Sequence, residues 1–166
     1  MTGRDIIERL HLSPLPHEGG YFLQSWCSGD VAADPDGSGA SKPWGTAIYY
    51  LLTDEADCFS ALHRLPTDEV YHFYLGDPVE QLRLYPDGRH EVVVLGQQLE
   101  HGQLVQSVAP RGVWQGSRLV PGGRFALLGT TMAPGFVPSD YEGGQRAVLM
   151  AQCPRAAALI AALTRE

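Results

Sequence analysis

The chain has 166 residues, enough for one domain with a sizeable core. Apolar residues make up 44% of it, which excludes a disordered chain, and 19 Gly with 12 Pro suit short strands joined by turns better than helices. A formal net charge of −7 with no visible basic patch argues against a nucleic-acid partner, and no apolar run is long enough to span a bilayer.

Three widely spaced cysteines, Cys27, Cys58 and Cys153, argue against a disulfide framework. The N-terminus, Met1-Thr2-Gly3-Arg4-Asp5, reads without a secretory signal. Together they set the expectation of a reducing, cytoplasmic compartment and of a single domain over 1–166.

In chain order, Ile6, Ile7 and Leu10 fall at helical spacing, with Thr2 as N-cap and Asp5 in the first turn. Ser13-Pro14-Leu15-Pro16 stops that helix. The glycine pair in His17-Glu18-Gly19-Gly20 suggests a tight backbone leading into a strand from Tyr21. His17 and Glu18 read as a solvated loop or as the lip of a site. The Gly-, Ser-, Asp- and Ala-rich stretch 29–42 reads as an exposed loop. Strands are expected over 46–52 and 58–63. After the central stretch considered below, 80–85 and 91–95 form a hairpin around Pro86-Asp87-Gly88. Further strands are expected over 104–108, 113–116 and 124–132. An apolar run over 145–152 follows, and Pro154 opens a last helix with Leu159, Ile160 and Leu163 on one face.

The stretch that carries chemistry is 60–78, where His63, Glu69 and His72 fall within ten residues of one another. Strands alternate faces, so Glu69, Tyr71 and Phe73 share one side while Val70, His72 and Tyr74 share the other. With the first side inward, a carboxylate and a phenol enter an apolar hollow, where His63 from the preceding strand meets them.

The spacing of His63, Leu65, Glu69 and Gly76, and the stretch Pro110-Arg111-Gly112-Val113-Trp114-Gln115, look like the two motifs of the cupin superfamily. Leu65 and Gln115 stand where metal-ligating histidines are usual. Five blocks resemble the DUF985 (cupin_5) family in order: His17 to Phe22, Thr46 to Leu52, His63 to Phe73, Val108 to Gln115 and Ala133 to Phe136. The resemblance covers nearly the whole chain. It implies an all-β fold, a cupin double-stranded β-helix (jelly-roll barrel) with short N- and C-terminal helices, commonly homodimeric. It also points towards sugar-nucleotide epimerases and small-ligand binders. Sugar epimerases of this barrel are implied to work without metal, with a His base and a Tyr acid.

A metal centre needs convergent imidazoles and carboxylates. Leu65 cannot ligate, Gln115 is a weak donor, and alternation turns His72 outward. No cofactor is therefore expected; a divalent metal, were one bound, would fall to His63, Glu69 and Gln115. Without metal, burial of Glu69 beside His63 suits the pair to proton transfer. The first reading is a small-molecule epimerase or isomerase, with His63, Glu69 and Tyr71 catalytic and Gln115, Arg64, Tyr49 and Glu18 contacting substrate. Arg64 and Arg83 would hold an anionic group if they face inward. The alternatives are a non-catalytic small-ligand barrel and a metal-dependent enzyme. The expected partners are a small molecule and a second copy of the chain, with no nucleic acid and no membrane. A buried His–Glu pair is also a common tie between strands, and strand tyrosines are commonly packing groups.

Overall fold

Period-2 alternation and frequent turns give the described residues thirteen strands, most of them in two facing antiparallel sheets. The computed structural model describes residues 1–32 and 41–165. Helix α1 (Gly3–Leu10) opens on a capping box: the Asp5 amide donates to Thr2 Oγ1 at 3.2 Å and the Thr2 amide donates to Asp5 Oδ2 at 2.7 Å. The strands that follow are β1 (Ser13–Pro14), β2 (Tyr21–Cys27), β3 (Val31–Ala32), β4 (Lys42–Pro43), β5 (Thr46–Thr53), β6 (Ser60–Arg64) and β7 (Glu69–Gly76). Next come β8 (Val79–Leu84), β9 (His90–Leu95), β10 (Gln106–Ala109), β11 (Trp114–Leu119), β12 (Phe125–Met132) and β13 (Glu142–Gly143). The chain closes on α2 (Arg146–Gln152) and α3 (Ala157–Ala162), joined by a 3-10 turn over Pro154–Ala156.

One sheet runs β1-β2-β5-β12-β7-β10 and the other β13-β6-β11-β8-β9, while β3 and β4 pair alone. Between the sheets lie Tyr50, Leu52, Tyr71, Phe73, Val79, Leu95, Ala126 and Leu128. The outer side of the second sheet presents Leu62, Leu82 and Leu84, which α2 and α3 cover with Leu149, Cys153, Ile160 and Leu163. Helix α1 covers part of the first sheet's outer side, setting Ile6 against Leu51, Phe125 and Leu127. Each sheet thus buries an apolar face against a neighbouring layer, as a stable domain requires. No helix among the described residues is long and apolar enough to cross a membrane.

The sequence reading places the elements well and misjudges a few. The apolar run over 145–152 is helix α2, whose Leu149, with Cys153 just beyond its end, seats on the outer face of the second sheet. The strand expected over 58–63 occupies Ser60–Arg64, and that over 104–108 occupies Gln106–Ala109. Of the loop expected over 29–42, residues 33–40 lie outside the described residues, and the flanks pair as β3 and β4.

A buried ion pair anchors the connection between β12 and β13 to β4. Lys42 Nζ donates to Asp140 Oδ1 at 2.7 Å, both side chains being about 5% exposed. Asp140 Oδ2 also accepts from the Val137 amide at 3.1 Å. Removing one member of such a pair leaves an uncompensated charge and costs about 3–5 kcal/mol, whereas replacing both by apolar groups costs far less. Lys42→Met should lower stability by about that amount in denaturant unfolding, and Lys42→Met with Asp140→Leu should recover most of it.

Candidate functional site

The site is built by the strand alternation of β7 and by the inward sides of β6, β8 and β11. Glu69, Tyr71 and Phe73 are buried while Tyr74 is exposed, which puts the first three on the inner side as the alternation predicts. Register then fixes the opposite wall. Gln115 on β11 faces His63 on β6 and Arg83 on β8; Ser117 faces Ser60 and Gln81. These six side chains form two rows across three strands, and all six are buried. The barrel interior foreseen as apolar therefore has two unlike walls. One is largely aromatic and aliphatic, from Tyr50, Tyr71, Phe73 and Leu128; the other carries the six polar side chains, with Val79 and Leu95 on the same sheet.

His63 is 1% exposed, and its Nδ1 lies 2.8 Å from the Ala61 carbonyl oxygen. A carbonyl only accepts, so Nδ1 carries a proton in this bond; whenever the ring is neutral, its lone pair is then on Nε2. Nε2 makes no hydrogen bond among the described residues. The Tyr141 ring stacks on the imidazole, with centroids 5.2 Å apart and planes inclined by 21°. Tyr141 follows the 3-10 turn Pro138–Asp140 held by Lys42, and β13 then pairs with β6 at His63 and Arg64. Burial, helped by the charge on Glu18, pushes the Tyr141 phenol up to about 12.

Glu69 Oε2 accepts from the Tyr71 hydroxyl at 3.0 Å and from Gln115 Nε2 at 2.7 Å. The Tyr71 phenol lies well above its ordinary range, first because it is buried and then because Glu69 and Glu18 stand near it. Its proton is committed to Glu69, so Tyr71 positions that carboxylate and is poorly suited to act as the acid.

Glu18 enters from the turn before β2. Its Oε1 accepts from the Ser60 hydroxyl at 2.7 Å. Burial raises its pKa, the charge on Glu69 adds to that, and His63 and the Ser60 hydroxyl pull the other way. The backbone that aims it inward needs glycine twice. Gly19 (φ +103°) and Gly20 (φ +71°) both lie in the left-handed region; a Cβ at Gly19 would meet the Phe59 carbonyl oxygen, and one at Gly20 would meet the Tyr50 hydroxyl at 2.8 Å. Arg165 clamps the turn from outside, donating to the carbonyl oxygens of His17, Glu18, Asp57 and Phe59 at 3.0–3.2 Å.

The structure thus brings together His63, Glu69, Tyr71, Gln115 and Glu18. Two expected contacts are corrected. Arg64 is exposed and points away from the barrel, held by Glu142 through bonds of 2.6 and 2.8 Å and lying over the Trp114 ring. As the residue after inward His63 it takes the outer side of β6. Tyr49 likewise faces out, edge-on to Tyr74 with centroids 6.2 Å apart, while its neighbour Tyr50 faces in and donates to the Gly19 carbonyl at 2.9 Å. The sequence reading missed Tyr141, Ser60, Gln81, Ser107 and Ser117. The alternation of Gln81 and Arg83 with Leu82 and Leu84 carried part of that signal, but nothing local says that the leucines lie under helices.

The donor set does not fit a transition-metal centre. Leu65 is buried and offers no donor, Gln115 turns its N–H to Glu69, and the facing Glu69 oxygen already accepts two bonds. No group of three His, Cys, Asp or Glu side chains among the described residues is arranged to hold a metal ion.

Comparisons with known proteins agree on the architecture. The family model described as Cupin superfamily (DUF985) matches residues 4–143. A hypothetical protein from Leishmania major superposes with a TM-score of 0.90 at 29% identity, covering 100% of both chains. Protein SO0799 from Shewanella oneidensis gives 0.86 at 31% identity, covering 99% of this chain and 98% of its own. The Saccharomyces cerevisiae protein YML079W, itself uncharacterized, is 28% identical over 136 residues, 75% of this chain and 65% of that protein. Oxalate decarboxylase from Bacillus subtilis, at 14% identity and a TM-score of 0.55 over 37% of its length, shares the fold alone.

The raised Glu18 pKa has a consequence for stability. The folded state keeps a proton that the unfolded chain releases above the ordinary carboxyl value of 4.5, so the associated stability is full below 4.5 and lost as pH rises through the folded value. Glu18→Gln keeps the bond from Ser60 and removes the titration. In thermal unfolding it should match the parent at about pH 4 and exceed it at about pH 8. Parallel curves for the two proteins would contradict this burial of the carboxyl.

Proposed function

The chain belongs to the DUF985 family of the cupin superfamily, and we propose that its barrel interior performs metal-independent acid–base chemistry on a small polar molecule, of the epimerase or isomerase type. His63 is the base. Its Nε2 takes a proton from carbon beside a carbonyl, and the imidazolium that forms stays oriented by the Nδ1–H bond to Ala61. Glu18 is the acid: burial favours its neutral, proton-bearing form, and it lies near enough to His63 and Glu69 to feel both. Glu69, oriented by Tyr71 and Gln115, supports the imidazolium as charge develops.

The observation that carries this reading is the one-sided hydrogen bonding of the buried His63 ring. A histidine that only tied strands together would gain most by bonding through both ring nitrogens. Here Nδ1 is fixed by a backbone carbonyl, Nε2 makes no hydrogen bond among the described residues, and the Glu18 carboxyl is near enough to feel the ring.

His63→Asn tests it. Asparagine can still donate to the Ala61 carbonyl but offers no base. In deuterated water, the parent protein should introduce deuterium next to the carbonyl in some member of a panel of small hydroxy-carbonyl compounds, followed by NMR. His63→Asn should lose about 10²–10⁴-fold of that rate, with its fold unchanged by circular dichroism. A panel member that binds but exchanges no faster with the parent than with the variant would convert the reading to a non-catalytic ligand barrel.

A further inference from the structure

We propose that Arg83, Gln81 and Ser117 form an oxyanion subsite, so that the small molecule of this barrel carries a carboxylate or phosphate group. The proposal rests on the reading of the interior as a small-molecule site; it adds which end of the molecule binds where.

Arg83 is 5% exposed. It reaches across the barrel from β8 in one sheet to β10 in the other, where Nη2 donates to Ser107 Oγ at 2.8 Å. Its remaining bonds go to a neutral amide: Nε at 3.0 Å and Nη2 at 2.7 Å both donate to Gln81 Oε1. No carboxylate among the described residues pairs with it, and Nη1 has no acceptor among them. Burying a guanidinium without an anion is costly, because the charge gives up its water and receives no opposite charge in return.

Three further groups beside it are unsatisfied. Gln81 Nε2, Ser117 Oγ and Gln115 Oε1 are buried side-chain atoms with no hydrogen-bond partner among the described residues. Register puts Ser117 opposite Gln81 and Gln115 opposite Arg83, so all three belong to the same patch of wall. Each unsatisfied buried group costs about 1–3 kcal/mol. A strut that merely joined the two sheets would need only the Arg83–Ser107 bond, and would explain none of the three.

The chemistry of the set names the ligand. A guanidinium edge, an amide N–H and a hydroxyl are donors, which together suit an oxyanion. The one acceptor, Gln115 Oε1, cannot turn round without placing oxygen against the Glu69 carboxylate, so it is left for a hydroxyl on the ligand next to the anionic group. Gln115 also stands between Glu69 and Arg83 and keeps the two like charges, that of Glu69 and that of the ligand, apart. His63 lies in the same row as Gln115 and Arg83. Two strand spacings of about 4.8 Å separate the His63 and Arg83 backbones by roughly 10 Å, with both side chains directed inward. An anionic group on Arg83 would present the adjoining carbon towards the free Nε2 of His63.

The experiment is calorimetric titration of the full chain with acetate, glycolate and inorganic phosphate, at ionic strength held constant with chloride. Saturable 1:1 binding of glycolate or phosphate is expected, with glycolate tighter than acetate. Arg83→Gln should abolish it. Since Arg83→Gln could lose the bond to β10 and fold poorly, Ser117→Ala is the second variant: it removes an unpaired hydroxyl, should leave the unfolding midpoint unchanged or raised, and should weaken the anion about ten-fold. A structural role for this wall would not move the affinity in Ser117→Ala. Absence of binding by all three anions overturns the proposal, as does affinity unaltered in both variants. His63→Asn should retain the anion, so binding retained with no proton exchange would fail the acid–base reading while leaving the subsite intact.

Discussion

The rest of the molecule depends on a wall of buried polar side chains that faces the barrel interior. His63, Gln115 and Arg83, with Ser60, Ser117 and Gln81 below them, sit where a barrel of this size could equally be filled by leucine and valine. Polar groups in a low-dielectric interior are tolerated only where partners satisfy them. Most here have partners: Glu18 has Ser60, Glu69 has Tyr71 and Gln115, and Arg83 has Gln81 and Ser107. The apolar layers elsewhere make this affordable. The opposite wall, the helices over Leu62, Leu82 and Leu84, and α1 against Leu51 supply the burial that offsets it.

Much of this was legible in the sequence, and the boundary of legibility is physical. Alternation on 69–75 gave the correct inner face because a period of two admits only two answers, and Glu69, Tyr71 and Phe73 fell together on one of them. The same alternation on 80–85 was visible without its sense. Leucines at 82 and 84 suggest an inward side, yet they are buried outward under α2 and α3, and Gln81 and Arg83 take the interior. A strand covered on both sides has no solvent face to betray which way it is turned. Arg64 and Tyr49 failed for a related reason. Each is adjacent to a residue that does face inward, His63 and Tyr50, and a shift of one position reverses the side.

Tyr141 and Arg165 were invisible for a different reason. Each acts on residues far away in the chain: Tyr141 stacks on His63, and Arg165 collects carbonyls from the Glu18 turn and from the strand entry near Phe59. No local pattern announces a contact across so much chain. The Gly19-Gly20 pair did announce itself, because its positive φ values leave no room for a side chain whatever the distant contacts are.

The two positions at which this chain departs from the metal-binding cupin motif have different physical effects. Leu65 removes a donor and adds buried apolar area. Gln115 keeps a polar group at the centre of the wall but turns it to another use: its N–H fixes Glu69 and its carbonyl oxygen is left without a partner among the described residues. A residue kept only for packing would not hold an unsatisfied oxygen in a dry interior at a cost of about 1–3 kcal/mol. With Gln115 directing Glu69 on one side and standing opposite both His63 and Arg83, the same side chain links the carboxylate to the imidazole and guanidinium of its row. That arrangement turns on one residue in a single row of three strands, and it ties the polar interior together through side-chain hydrogen bonds.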